Sequence, residues 1–175
     1  MSEEGTAAMV VNRSHADTWK VQAERLWEDA VKNVKNLLPA EFVTMNHALK
    51  SLLGDVEYEE GDLLLEKKKD YDQMYVLSNK FRNYGAACIA YPNVLEMIGQ
   101  ILKKDYYILP SSVHEVIIVP YSEIYVCSKL DEMVREINST QVEEEDVLSN
   151  HVYLYDRVSG KLRVGSSVQT GRMMA

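Results

Sequence analysis

The residue types best suited to catalysis gather in one short segment of the chain, PSSVHE, which lies between two apolar runs. In a hydrolase, Ser112 or Ser111 would be the nucleophile and His114 its base. Glu115 or Asp156 would then orient the imidazole. On this alternative interpretation, the protein would be a small hydrolase acting on ester or peptide bonds.

The same segment also suits a structural corner. Neighbouring residues of an extended strand point to opposite faces, so His114 and Glu115 cannot easily pair with each other. The chain also lacks the G-x-S-x-G motif that exposes a nucleophilic serine. Short hydroxyls and an imidazole can bond to the free backbone groups of a turn. We therefore favour a structural role for Ser111, Ser112 and His114, and predict no catalytic residue.

The sequence indicates neither a metal site nor a cofactor. The four histidines do not show the spacing of zinc ligands. Cys88 and Cys127 are the only cysteines and form no C-x-x-C pair. Two such isolated thiols are typical of reduced, structural cysteines.

Eleven tyrosines are the second suggestive feature of the sequence. An exposed cluster of tyrosines marks a protein interface, because each ring offers a large contact area at a low cost in conformational entropy. Half-buried strand positions would explain the tyrosines nearly as well. We predict that the binding residues include Tyr84, Tyr121, Tyr125, Tyr153 and Tyr155.

Charge and hydropathy exclude several classes of protein. The net charge is −8, and the only three basic residues in a row are Lys67–Lys69, which are surrounded by acidic residues. Direct binding of nucleic acid is therefore disfavoured. No apolar run approaches the roughly 20 residues that span a bilayer, and the acidic N-terminus is not a secretory signal. We expect a cytoplasmic protein that does not bind membranes.

Hydrophobic periodicity predicts the elements that must position these residues. The predicted helices cover about 18–38, 45–53, 94–102 and 128–137, with a short helical turn at 143–146. The predicted strands are 9–12, 63–65, 74–79, 86–91, 106–109, 115–119, 151–157 and 161–164.

These elements predict an α+β fold in a single domain over residues 1–165, followed by a flexible tail at 166–175. We expect a mostly antiparallel sheet of five or six strands, with helices packed mainly on one face. The helix between 86–91 and 106–109 would make the one parallel crossover.

Several motifs together resemble a known family. They are YVLSNK, NYGAACIAYP, YYILPSSVHEVIIVP, NSTQV and HVYLYDR, and the likeness extends back through NRSHADTW and LLPAEF, to cover about residues 10–160. The chain resembles an uncharacterised bacterial family, domain of unknown function 5688, which we associate with gut Firmicutes and their mobile elements. The resemblance implies that the chain corresponds to the C-terminal part of longer members. It implies no activity and no catalytic residue.

The favoured functional hypothesis is a non-catalytic module that binds a protein partner. One version is an inhibitor of a host defence nuclease, of the anti-CRISPR kind, encoded by a mobile element. The alternative hypothesis is the hydrolase that uses Ser112 and His114. The identity of the partner or substrate and the oligomeric state cannot be read from the sequence.

Overall fold

The computed structural model describes residues 9–53, 74–110, 112–125 and 127–165. The chain divides into two compact units, Met1–Leu37 and Leu38–Ala175. The predicted strand at 63–65, the basic run at 67–69 and the predicted tail lie outside the described residues. No described helix is long and apolar enough to cross a membrane.

The first unit contains two helices, α1 (Arg13–Trp19) and α2 (Ala23–Leu37). Asn12 caps α1, because its side chain accepts a hydrogen bond from a backbone N–H of the first turn. Lys20 then adopts a left-handed conformation with φ of 56°, which ends α1. The prediction of one continuous helix over 18–38 is therefore wrong, and so is the predicted strand at 9–12.

The second unit is built on one antiparallel sheet of six strands. The strands are β1 (Ala40–Thr44), β2 (Tyr75–Asn79), β3 (Tyr106–Leu109), β4 (Val116–Pro120), β5 (Tyr153–Asp156) and β6 (Lys161–Val164). Their order across the sheet is β1-β2-β4-β3-β5-β6. The predicted α+β class and antiparallel sheet are confirmed.

Within the described part of this unit, three α-helices accompany the sheet and two 3-10 helices lie in its connections. They are α3 (Met45–Leu53), α4 (Val94–Leu102) and α5 (Cys127–Thr140), with 3-10 turns at Gly85–Ala90 and Glu144–Asp146. Thr44 caps α3, since its Oγ1 accepts a hydrogen bond of 3.2 Å from the His47 N–H. β1 had not been predicted.

The core lies on both faces of the sheet. Alternate residues of β3 point to opposite sides. Tyr106 and Ile108 join a buried cluster with α4, whereas Tyr107 and Leu109 join a second cluster with α5. Helices thus cover both faces, which corrects the expectation that they lie mainly on one.

Residues 86–91 do not form the predicted strand. The 3-10 helix Gly85–Ala90 replaces it and lies over β2, where the Cys88 thiol donates to the Ser78 carbonyl at 3.3 Å. A short apolar run reads equally well as a strand or as a buried helical turn, and periodicity cannot separate the two. All strand pairs in the sheet are antiparallel, so the predicted parallel crossover is also wrong.

Candidate functional site

Residues 80–84 (KFRNY) form a loop that joins β2 to the following 3-10 helix, and we call it the aromatic loop. Its two aromatic side chains face solvent, with Phe81 61% and Tyr84 52% exposed. Two exposed rings within five residues make this loop a candidate contact surface, because aromatic residues are enriched in protein interfaces.

A buried asparagine holds the aromatic loop in shape. Asn79, at the end of β2, is only 1% exposed. Its Nδ2 donates to the Asn83 carbonyl at 2.7 Å, and its Oδ1 accepts from the Phe81 N–H at 2.9 Å. Arg82 and Tyr84 both have positive φ, near 50°, a strained conformation that persists only where the surroundings impose it. The loop backbone is therefore internally braced.

Gly85 fixes the exit of the aromatic loop. A Cβ atom at this position would lie 2.6 Å from the Asn79 nitrogen and 2.6 Å from the His114 oxygen, and it would also collide with Ser78 Oγ. The Ser78 hydroxyl in turn donates to the His114 carbonyl at 2.8 Å. Only glycine permits this close approach of β2, the loop and the PSSVHE corner.

His114 connects the corner to the aromatic loop through its ring. Nδ1 accepts a hydrogen bond of 3.2 Å from the Tyr84 N–H, and Nε2 lies 3.4 Å from Asp146 Oδ2. Nδ1 is thus placed as an acceptor for the loop backbone, and Nε2 is placed to donate to the carboxylate. The two rings are also adjacent, with the centroids of Tyr84 and His114 separated by 5.4 Å.

Ser112, in the PSSVHE corner, forms a hydrogen bond with the backbone. Ser112 Oγ accepts from the His114 N–H at 3.0 Å, and Ser112 forms an isolated antiparallel bridge with Val147. Next to it, the Val113 N–H donates to the Asp146 carbonyl at 2.9 Å. These bonds agree with the predicted structural role of Ser112 and His114, while Ser111 lies outside the described residues.

This geometry does not favour the hydrolase alternative. Both ring nitrogens of His114 are engaged by groups other than Ser112, so neither is placed to accept a serine proton. The carboxylate beside the imidazole is Asp146, whereas Glu115 and Asp156 had been considered for that role. Asp156 instead accepts backbone N–H groups in the β5–β6 turn.

The five predicted binding tyrosines do not form one surface. Tyr84 is exposed in the aromatic loop, whereas Tyr121 and Tyr125 are half-buried on the α5 side of the sheet. Tyr153 is half-buried on the α4 side. Tyr155 is only 4% exposed and stacks on Tyr106, with 5.0 Å between ring centroids. Tyr155 is thus a core residue, because its strand position points under α4.

The two cysteines are free and buried, as expected for structural thiols. Burial raises the pKa of both the Cys88 and the Cys127 thiol, which disfavours the reactive thiolate. Burial, together with the neighbouring Cys88, also raises the pKa of Tyr91 to about 12. Within the described residues, no group of three or more His, Cys, Asp or Glu side chains could hold a metal ion.

Three residues of this site were missed by the sequence analysis: Phe81, Asn79 and Asp146. Phe81 had a detectable signal, since an aromatic residue inside the polar run NKFRN is unusual for a turn. Asn79 and Asp146 had none. Their importance comes from contacts across the fold, which a single sequence does not display.

Comparison with known proteins gives a family but no relative of known activity. No curated protein and no solved structure matches the chain. A family model described as a family of unknown function, DUF5688, matches residues 1–157, well over half of the 175 residues. The chain therefore belongs to the DUF5688 family.

Proposed function

We propose that this protein is a non-catalytic binding module whose contact surface for a protein partner is centred on the aromatic loop. The observation that carries the proposal is the exposure of Phe81 and Tyr84 on a backbone braced by the buried Asn79. Aromatic residues and arginine contribute most of the binding energy in protein interfaces. The loop offers two rings with Arg82 between them.

The bracing of the loop supports this proposal. A flexible loop loses conformational entropy when it binds, and this loss weakens affinity. Here the hydrogen bonds of Asn79 and the contact of Tyr84 with His114 order the loop in the free protein. Binding would then require little further ordering.

The charge of the loop defines the chemistry of the partner. Lys80 and Arg82 make the loop locally basic, although the whole chain carries a net charge of −8. A complementary partner would present an apolar pocket for the two rings, with acidic residues around its rim. Inhibition of a host defence nuclease is the narrower version of this proposal. It draws on the mobile-element setting that the family resemblance suggests.

A comparison of two double variants tests the proposal. Phe81→Ala/Tyr84→Ala removes both rings of the loop. Met97→Ala/Ile101→Ala is the matched control, because it truncates two apolar side chains of α4 that are each 55% exposed. We expect wild type and control to capture the same stoichiometric partner from host lysate. The loop variant should bind that partner at least about tenfold more weakly.

Equal capture by all three proteins would overturn the proposed role of the aromatic loop. Failure of the wild type to capture any stoichiometric partner would count against the binding module itself. For the narrower version, the purified protein would be added to cleavage assays of host defence nucleases. Stoichiometric inhibition that disappears in the loop variant is the expected result, and absence of inhibition across the panel would contradict that version.

A further inference from the structure

A surface cleft of about 390 Å³ lies at the end of the sheet opposite the aromatic loop. The strand register defines this position: Tyr106 at the start of β3 pairs with Pro120 at the end of β4 and with Tyr155 near the end of β5. The aromatic loop, by contrast, follows the end of β2 and contacts the residues that precede β4. The cleft and the loop are therefore separate surfaces.

Three cationic side chains line the cleft. They are Lys103 and Lys104, which follow α4, and Arg157, which follows β5. Among the described residues, none of the three has a carboxylate oxygen within 4.0 Å, since the ion pairs found there involve Arg25 and His114. The negative end of the α4 dipole explains why two lysines lie at the C-terminal end of this helix, but it does not explain the position of Arg157.

Arg157 is positioned at two points, its backbone N–H and the aliphatic stem of its side chain. Its backbone N–H donates to Asp105 Oδ1 at 3.0 Å. Its aliphatic stem lies against α4 at Gly99, where a Cβ atom would be 3.1 Å from Arg157 Cγ and 3.5 Å from Cδ. The glycine therefore leaves room for the arginine stem beside the helix, and the bond to Asp105 sets where the side chain begins.

Polar and aromatic groups complete the wall of the cleft. Ser122 Oγ accepts a hydrogen bond of 3.4 Å from the Ile124 N–H, which leaves its hydroxyl hydrogen able to donate to a ligand. The ring of Tyr121 also lines the cleft and lies 5.7 Å, centroid to centroid, from Tyr107. Two carboxylates, Asp105 and Glu123, are present as well, so the surroundings are not purely cationic.

We infer that this cleft binds the phosphate group of a small molecule. A guanidinium presents paired N–H donors that match the oxygens of a phosphate, and lysine ammonium groups add charge. The volume falls within the range of about 300–1,000 Å³ that is usual for small-molecule sites. Asp105 directs one oxygen at the Arg157 backbone, and Glu123 suits a hydroxyl or amine of the same ligand. This inference is independent of the proposed protein partner.

Titration of the ¹⁵N-labelled full chain tests the inference. The probes are inorganic phosphate and adenosine 5′-monophosphate at low ionic strength, with adenosine as the uncharged control. We expect both phosphate probes to give saturable shifts of the amide signals around the cleft, and adenosine to give none. Arg157→Gln should weaken the apparent affinity by about tenfold, because it removes a charge-assisted hydrogen bond.

Two further variants distinguish a specific phosphate site from non-specific attraction to positive charge. Arg135→Gln removes an exposed cation of α5 and should leave the affinity unchanged. Gly99→Ala should weaken binding by displacing the Arg157 stem without removing any charge. Absence of saturation by both phosphate probes would overturn the inference. It would also be overturned by equal binding of adenosine, or by equal losses in Arg157→Gln and Arg135→Gln.

Discussion

At one end of the sheet, polar side chains bond to the backbone and aromatic rings face the solvent. At the other end, cationic side chains face the solvent, and they have no carboxylate partner in the part of the chain that the structure describes. Asn79, Ser78 and Ser112 all bond to neighbouring backbone around the aromatic loop. Around the cleft, Lys103 and Arg157 form no ion pair with another described residue. The same six strands thus carry two surfaces of different chemistry.

This difference separates structural polar groups from those that remain available to a ligand. A buried hydrogen bond contributes about 0.5–1.5 kcal/mol, and an unsatisfied buried group costs about 1–3 kcal/mol. Substitutions in the bonded network around the loop should therefore lower stability first. Substitutions in the cleft should change ligand binding while stability changes little, because exposed charges contribute little to folding.

The largest effect is expected for Gly85→Ala. The new methyl group would meet backbone atoms of Asn79 and His114, which cannot move aside as a flexible side chain can. We expect a loss of about 3 kcal/mol in the free energy of unfolding, measured by chemical denaturation. Gly99→Ala is the control, since its methyl group meets the flexible stem of Arg157 and gains helix propensity. Equal denaturation midpoints for the two variants would contradict this distinction between rigid backbone around Gly85 and a flexible side chain beside Gly99.

Asn79→Ala should have the next largest effect, about 2 kcal/mol lost from the free energy of unfolding, because it leaves part-buried backbone groups of the loop without their partner. Asn83→Ala is the matched control in the same loop: the backbone of Asn83 takes part in the bonds to Asn79, whereas its side chain does not. Denaturation midpoints would measure both. A loss in Asn83→Ala as large as that in Asn79→Ala would show that the bracing does not depend on the buried side chain.

His114→Ala should lower the free energy of unfolding by about 1 kcal/mol, through loss of the bonds to Tyr84 and Asp146. The effect is moderate because the side chain is 35% exposed. His151→Ala, an exposed histidine, should leave the midpoint unchanged. An unchanged midpoint in His114→Ala, together with loss of partner binding, would move the corner from the supporting network to the contact surface.

The smallest effect concerns Asp156 at the cleft end. Hydrogen bonds from the backbone and the side chain of Ser159, followed by one from the backbone of Val158, hold the pKa of this carboxyl below its ordinary value of 3.8. A lowered pKa in the folded state stabilises the protein above the unfolded-state value, and this contribution is lost as pH falls through the folded-state value. The stability difference between wild type and Asp156→Ala should therefore narrow below about pH 3.8. A difference that does not vary with pH would contradict this role.

The sequence predicted the sheet well where strands are apolar and bounded by strong turn signals. β3 was predicted at its observed bounds, and β4 within one residue, because YYIL and VIIVP are short β-branched or aromatic runs next to proline. α4 was predicted for a similar reason, since its apolar residues recur with helical period. The predicted strand over AACIAY was wrong, because a short run of small residues favours neither a strand nor a helical turn.

The candidate site was predicted only in part. Residue type and local spacing predicted Tyr84 as a binding residue and the corner at His114 as structural. The contact between the His114 imidazole and Asp146 was not predicted. Asp146 lies far along the chain and is brought to His114 by the bridge between Ser112 and Val147. Arg157 in the cleft was missed for the same reason: Gly99 and Asp105, which position it, belong to other elements.

Backbone order in the aromatic loop tests the central claim most directly. The account predicts amide ¹⁵N order parameters near 0.85 for residues 80–84 in the free protein, the value of rigid backbone. In Asn79→Ala the same amides should fall below about 0.6, while those of β3 keep their values. Values below about 0.6 for residues 80–84 in the wild type would contradict the claim that the loop is ordered before it meets a partner.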